Sequence, residues 1–260
     1  MKALKYFLLA SLFVIGLNSC ENQEEEVKDN KPTEIEDTWP TTISTQEAGD
    51  FVLVLKPQDK FTMGDSNLVS TLEKTVTIEK SFYMCKTEVT QAQWKAIMKS
   101  NPSDNEFISQ GANTDNCPVN NISYSDAKAF VKALNEATGR TFAIPTEQQW
   151  EWAAIGGRLS NGYTYSGSNN HAEVAWSSIN QEGVLNEVAK LKANELGIYD
   201  MSGNVDEWTT TSKLTRGGNY ETKNTDELNV RYRNKFGLNA SYSIGLRLII
   251  EEPLSTEISK

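Results

Sequence analysis

From Gly157 to Leu248 the chain carries no apolar stripe of helical spacing; short apolar pieces alternate with polar loops rich in Asn, Ser, Gly and Tyr. A helix in a folded domain needs apolar residues at i, i+3, i+4 and i+7 to bury one face, so this long half must fold as short strands and loops. The helical signals all lie before it. Thr90, with Gln93 three residues later, spells a capping box, and Trp94, Ile97 and Met98 share the face that follows. Ser123 or Ser125 caps a second helix, whose stripe is Ala127, Phe130, Val131 and Leu134 and whose stop is Gly139. Pro145, Thr146 and Gln149 open a third, ended by Gly156 and Gly157. Ahead of them, "FVLVL", "KFTMG" and "KTVTIEKSFYMCKTEVT" read as strands. The expected fold class is α+β, with few helices, no internal repeat and much of the surface in loops.

The first residues are a targeting segment. Lys2 and Lys5 precede the apolar run "YFLLASLFVIGL", and "LNSC" closes it at Cys20. This is short for a membrane span and has the build of a secretion signal. Leucine, a small residue and cysteine in that order resemble the bacterial lipobox, in which the signal is cut before the cysteine and the thiol is acylated; an ordinary signal with an incidental cysteine is the alternative. The expected layout is a lipoprotein signal over 1–19, an acidic tether over 20–45, a folded domain over 46–252 and a C-terminal tail over 253–260. The acids after Cys20 resemble the export signal of some Gram-negative surface lipoproteins. The expected location is therefore the outer membrane of a Gram-negative bacterium, with the lipid anchor as membrane contact and the orientation left open.

The formal charge is −10, and losing Lys2 and Lys5 with the signal makes the mature chain more acidic still. A protein that neutralises phosphates needs the opposite sign, so nucleic acid is excluded as an expected partner. After Cys20 only Cys85 and Cys117 remain. Outside the cytoplasm two cysteines favour one disulfide, the alternative being two buried free thiols. Neither has zinc-ligand spacing, and the single histidine, His171, sits in a polar run.

"YDMSGNVDEW" (199–208) holds Asp200 and Glu207 around a Gly-Asn turn. The two acids could be an acid/base pair, two ligands of one metal, or the solvated rims of a loop. A glycosidase dyad has the right residue types, but nothing else in the chain suggests a sugar ring.

Eight segments fall in the order of one family: "FTMG" (61–64), "KTEVTQAQW" (86–94), "NPS" (101–103), "PVNNISYSDAKAF" (118–130), "LNEATGRTFAIPTEQQWEWAAIGG" (134–157), "NELGIYDMSGNVDEW" (194–208), "TRGGNY" (215–220) and "GLRL" (245–248). Together they resemble the sulfatase-modifying-factor domain, that of the formylglycine-generating enzyme. The resemblance implies a loop-rich, decorated C-type-lectin-like fold. It also implies a calcium loop, with side chains at Asp200 and Glu207 and backbone carbonyls at Gly203 and Val205. Calcium takes mixed carboxylate and carbonyl oxygens, and a glycine allows the sharp turn that aims them. Asp206 makes the loop more acidic, as a third oxygen source or as a surface acid only. At the position of a second family calcium site Val174 offers no side-chain oxygen.

Catalytic members of the family grip copper with two thiolates after the RGGS-like motif, and soft thiolates suit Cu(I). Here no cysteine follows Cys117, so copper and formylglycine chemistry are not expected and the enzyme assignment leans to no. The expected function is a membrane-anchored, non-catalytic binding or envelope-assembly module for a protein or glycan ligand. The alternative is an enzyme of this class, or of unrecognised chemistry on the same fold. In the segment where the catalytic family keeps its active site, Tyr220, Arg231, Tyr232, Arg233 and Tyr242, with Asn224, Asn229, Asn234 and Asn239, form the expected binding face; the alternative is that the arginines of "RYR" pair with core acids and the asparagines are loop filler.

Overall fold

The computed structural model describes residues 39–68, 72–211, 214–235 and 239–258; the signal, Cys20 and most of the tether lie outside them. Its helices begin where reciprocal side-chain caps stand. Helix α1 spans Gln91–Met98: the Thr90 amide donates to Gln93 Oε1 (2.8 Å), and the Gln93 amide to Thr90 Oγ1 (3.3 Å). Helix α2 (Tyr124–Thr138) is capped by Ser123, with Asp126 closing the box, and stops at Gly139 in the left-handed conformation. Helix α3 (Glu147–Ala154) is capped by Thr146 and Gln149. Each box satisfies backbone donors that a helix start leaves open. Beyond α3 the described chain forms only 3-10 turns, strands of two or three residues and the short helix α4 (Ser255–Ile258), as the missing helical stripe requires.

The central sheet is antiparallel, in the spatial order Thr42–Thr45, Gly49–Val54, Phe82–Cys85, Ile249–Ile250, Phe142–Ala143. Phe82–Cys85 is buried at every position, because it is covered on both faces. Its side chains alternate: Tyr83 and Cys85 enter a core with Trp94, Phe130 and Trp208, while Phe82 and Met84 enter a second core with Trp150, Ala153 and Met201. Helices α1 and α2 thus pack on one face and α3 on the other. Trp94 and Phe130 stack across α1 and α2 with centroids 4.7 Å apart. A smaller sheet, Asn234–Lys235, Leu214–Arg216, Asp206–Trp208, Ile244–Gly245, ends in a parallel pairing. A third cluster of Cys117, Leu185, Val205 and Tyr220 lies among the loops.

Three expectations are corrected. The fold starts before residue 46: Ile43 is core, Trp39 stacks on Tyr83, and the Tyr83 hydroxyl donates to the Pro40 carbonyl (2.7 Å). The C-terminal segment is docked rather than a free tail, through an Arg140–Glu257 ion pair. Cys85 and Cys117 are buried free thiols, not a disulfide. They belong to different clusters, and Cys85 Sγ faces the Ala48 carbonyl (3.4 Å) while Cys117 Sγ faces that of Asn113 (3.6 Å). Among the described residues no helix is long and apolar enough to cross a membrane.

Candidate functional site

The loop 200–207 is buried, not a solvated rim. Asp200, Gly203 and Asn204 all have positive φ, which winds the chain tightly. Gly203 is obligatory there, since a Cβ would lie 2.3 Å from the Trp176 carbonyl oxygen. Glu207 faces Arg247: Nε stands 3.0 Å from both carboxylate oxygens, Nη2 stands 2.7 Å from Oε1, and Trp150 Nε1 donates to Oε2 at 2.6 Å. Arg247 spends its remaining donors on the Cys85 and Tyr199 carbonyls. Glu207 is therefore a neutralised core carboxylate whose oxygens are all taken, which removes the acid/base reading.

Asp200 is less well served. Its Oδ2 accepts from the Ala189 amide (2.7 Å), and burial pushes its pKa up to about 6. Beside it lies Glu88, a residue the sequence reading left unassigned, which accepts from Asn204 Nδ2 (2.9 Å) and the Val205 amide (3.1 Å). Burial, and then the charges of Asp200 and Glu207, push Glu88 well above the usual carboxylate range. Three buried carboxylates thus share one guanidinium, and a cation fits on charge. Among the described residues no group of three or more His, Cys, Asp or Glu side chains is placed to hold a metal. A calcium ion here would rest on Asp200 and loop carbonyls, since Glu207 is taken by Arg247 and Trp150. It would supply countercharge rather than chemistry.

A second ionic layer rests on α3. Glu147 and Glu151 stand one turn apart and meet Arg216 from the "RGG" strand at 3.0 and 2.6 Å, and the Arg216 guanidinium lies over the Trp150 ring. Arg231 joins Glu151 (3.3 Å), and Arg233 pairs with Glu147. The expected binding face therefore breaks up. Arg231 and Arg233 are turned inward to core acids. Tyr220 is only 2 % exposed, its hydroxyl donating to the Tyr242 carbonyl (3.2 Å). Asn224 and Asn229 serve their own turns, accepting from the Asp226 and Arg231 amides. Tyr232 is half-buried. Of the five residues only Tyr242, 46 % exposed, presents a large free surface.

Tyr242 stands on an open cleft of about 700 Å³, lined also by Phe107, Ser178, Asn219, Thr222 and Ser243. The floor is stiffened from below. Asn219 donates to Asp206 Oδ2 (2.5 Å) and accepts from the Glu221 amide (2.8 Å), so its amide is locked in one orientation. Asp206, far from a surface acid, is fully buried and held by Asn219, Asn234 (2.5 Å) and Thr215 (3.2 Å). All three donors are neutral, and burial pushes its pKa up to about 6. Phe107 is 44 % exposed. Glu182, Glu221 and Glu227 line the cleft with one base, Lys223. Phe107 and Glu182 escaped the sequence reading, because nothing local in "DNEFISQ" or "NQEGV" says that these loops approach Tyr242.

The fold and this arrangement define a class: the chain belongs to the sulfatase-modifying factor enzyme 1-like domain family, whose pattern matches residues 36–252. It is 32 % identical over 241 residues to a protein named chaperone protein LppX of Paenibacillus barcinonensis, covering 68 % of this chain and 82 % of that one. It is 33 % identical over 106 residues to a formylglycine-generating enzyme of Mycobacterium tuberculosis, covering 36 % of this chain and 33 % of that enzyme. Among solved structures, Treponema denticola variable protein 1 superposes with a TM-score of 0.71 at 23 % identity, over 82 % of this chain and 100 % of that one. The α+β, formylglycine-generating-enzyme type of fold implied by the sequence segments is thereby established.

Proposed function

We propose that this chain is a non-catalytic binding module, anchored to a membrane through Cys20, that holds a polypeptide partner in the cleft beside Tyr242. The observation that carries this reading is the pair of exposed aromatics, Phe107 and Tyr242, on an open cleft whose floor is locked by Asp206 and Asn219. Aromatic side chains offer large contact area at small entropy cost, and a rigid floor lowers the ordering cost of binding. Two further facts support it. The segment after Arg216 has no cysteine to hold copper, while Cys85 and Cys117 are buried in other clusters. The relative LppX is named a chaperone, and a chaperone's work is to hold polypeptides. The Asp200 loop is proposed to take calcium as a structural countercharge.

The test is a photo-crosslinking amino acid at Tyr242 of the anchored protein in its native envelope, followed by mass spectrometry of the adducts. Polypeptide adducts that vanish when the crosslinker is moved to Leu159, an exposed residue absent from the cleft lining, are expected. Conversion of a sulfatase cysteine peptide by copper-loaded protein would replace this reading with the enzymatic one.

A further inference from the structure

The cleft has a charge imbalance that its own fold leaves unanswered. Glu182, Glu221 and Glu227 line it, and among the described residues none of the three has an ion-pair partner or a side-chain hydrogen bond. By contrast Glu147, Glu151 and Glu207 are each met by arginine, and Glu187 by Lys190. Only Lys223 offsets the three, in a chain already at −10. Like charges gathered in a concave place reinforce one another's potential and attract the opposite sign. The same cleft presents apolar surface, from Phe107 and Tyr242. The buried network below supplies no cation, because every arginine described there is already committed to Glu147, Glu151 or Glu207.

Resting on the reading of the cleft as a polypeptide site, we infer that it selects extended segments carrying lysine or arginine beside an aromatic or aliphatic side chain. The cationic groups answer Glu182, Glu221 and Glu227. The apolar side chain fits against Phe107 and Tyr242, and an aromatic face is favourable to a nearby guanidinium as well. Asn219, Thr222 and Ser243 are held by bonds within the fold, and the Ser178 hydroxyl is left to meet the peptide backbone. A neutral glycan could stack on the aromatics but would leave the three carboxylates without countercharge. An anionic segment would meet like charge.

The experiment uses the full acylated chain in detergent and fluorescence anisotropy with three labelled peptides of equal length. One carries Lys, Arg and Trp; one has Gln for the basic residues; one has Ala for Trp. A neutral xylan oligosaccharide is the fourth probe, as competitor. The basic aromatic peptide is expected to bind tightest, to weaken as salt rises through the range where surface charge is screened, and to weaken about two- to tenfold in Glu221→Gln/Glu227→Gln, the scale of exposed charge contacts. Tyr242→Ala is expected to weaken the first two peptides and leave the Ala peptide unchanged. Both variants should keep the parent melting temperature, since Glu221 and Tyr242 are exposed and the half-buried Glu227 has no side-chain partner among the described residues. Equal binding of the Gln and basic peptides overturns the inference while leaving a polypeptide cleft in place. Displacement of every peptide by the oligosaccharide, or no peptide binding that responds to Tyr242→Ala, overturns both.

Discussion

At the scale of single residues, charge pairing decides the loop 200–207. Glu207 and Arg247 are both buried and pair in two-pronged fashion. Breaking such a pair by removing one member leaves a bare buried charge and costs about 3–5 kcal/mol, whereas replacing both by apolar groups is often close to neutral. Glu207→Gln is therefore expected to lower stability by about that amount, and Glu207→Gln/Arg247→Met to recover most of it. A double-mutant cycle from urea melts reads the coupling, and additive losses would place the stabilisation elsewhere. Asp200 and Asp206 behave differently, since burial raises both to about 6 from an ordinary 3.8. The native state then binds their protons more tightly than the unfolded chain. Their contribution to stability is fully present below about pH 4 and is lost as pH climbs through 6. In chelator, the melting temperature should accordingly carry a falling component between pH 4 and 6. Calcium, by holding Asp200 ionised, should flatten that fall and raise the melting point near pH 7; at a hundredfold excess over Kd the gain is about 2.7 kcal/mol. A melting curve indifferent to calcium at pH 7 counts against the ion.

At the scale of elements, α3 joins local caps to long-range charge. Its start is written in four residues, Thr146 to Gln149, and the box forms as spelled. From it rise Glu147 and Glu151, which hold three arginines. Thr146→Ala is expected to cost about 1 kcal/mol, which lowers the melting temperature of a domain this size by about 2–4 °C. A loss several times larger in a calorimetric scan would mean that the cap also positions the ion-pair layer. The capping boxes of α1 and α3, the stop at Gly139 and the strand at Phe82–Cys85 were legible, because each depends on neighbours a few residues away, whereas the choice of Ser123 over Ser125 and its box with Asp126 came from the structure. The binding face was not. Tyr220, Arg231 and Arg233 have surface-like composition, but their partners come from distant elements, so the inward turn has no local sign.

At the scale of the whole molecule, an acidic chain carries its folded unit behind an N-terminal segment ending at a candidate lipidation site. With Cys20→Ser, thioether attachment of lipid is impossible, and a protein otherwise found in the membrane fraction should appear in the soluble one with unchanged melting temperature. Persistence with the membrane in low and high salt alike would show that something other than Cys20 holds it there.

The amino-acid sequence by itself determined where the three main helices lie, that the second half would be strands and loops, that the chain is acidic, and that no thiolate pair follows Arg216. These are local or compositional matters, independent of which distant segments meet. Only the tertiary structure decided that Glu207 belongs to Arg247, 40 residues on, and that Arg216 belongs to Glu147, 69 residues back. It also decided that Cys85 and Cys117 lie in separate clusters and that Phe107 shares a cleft with Tyr242. A buried charge or thiol takes whichever partner packing brings within reach, and packing is settled by the two cores as wholes, not by the residues on either side.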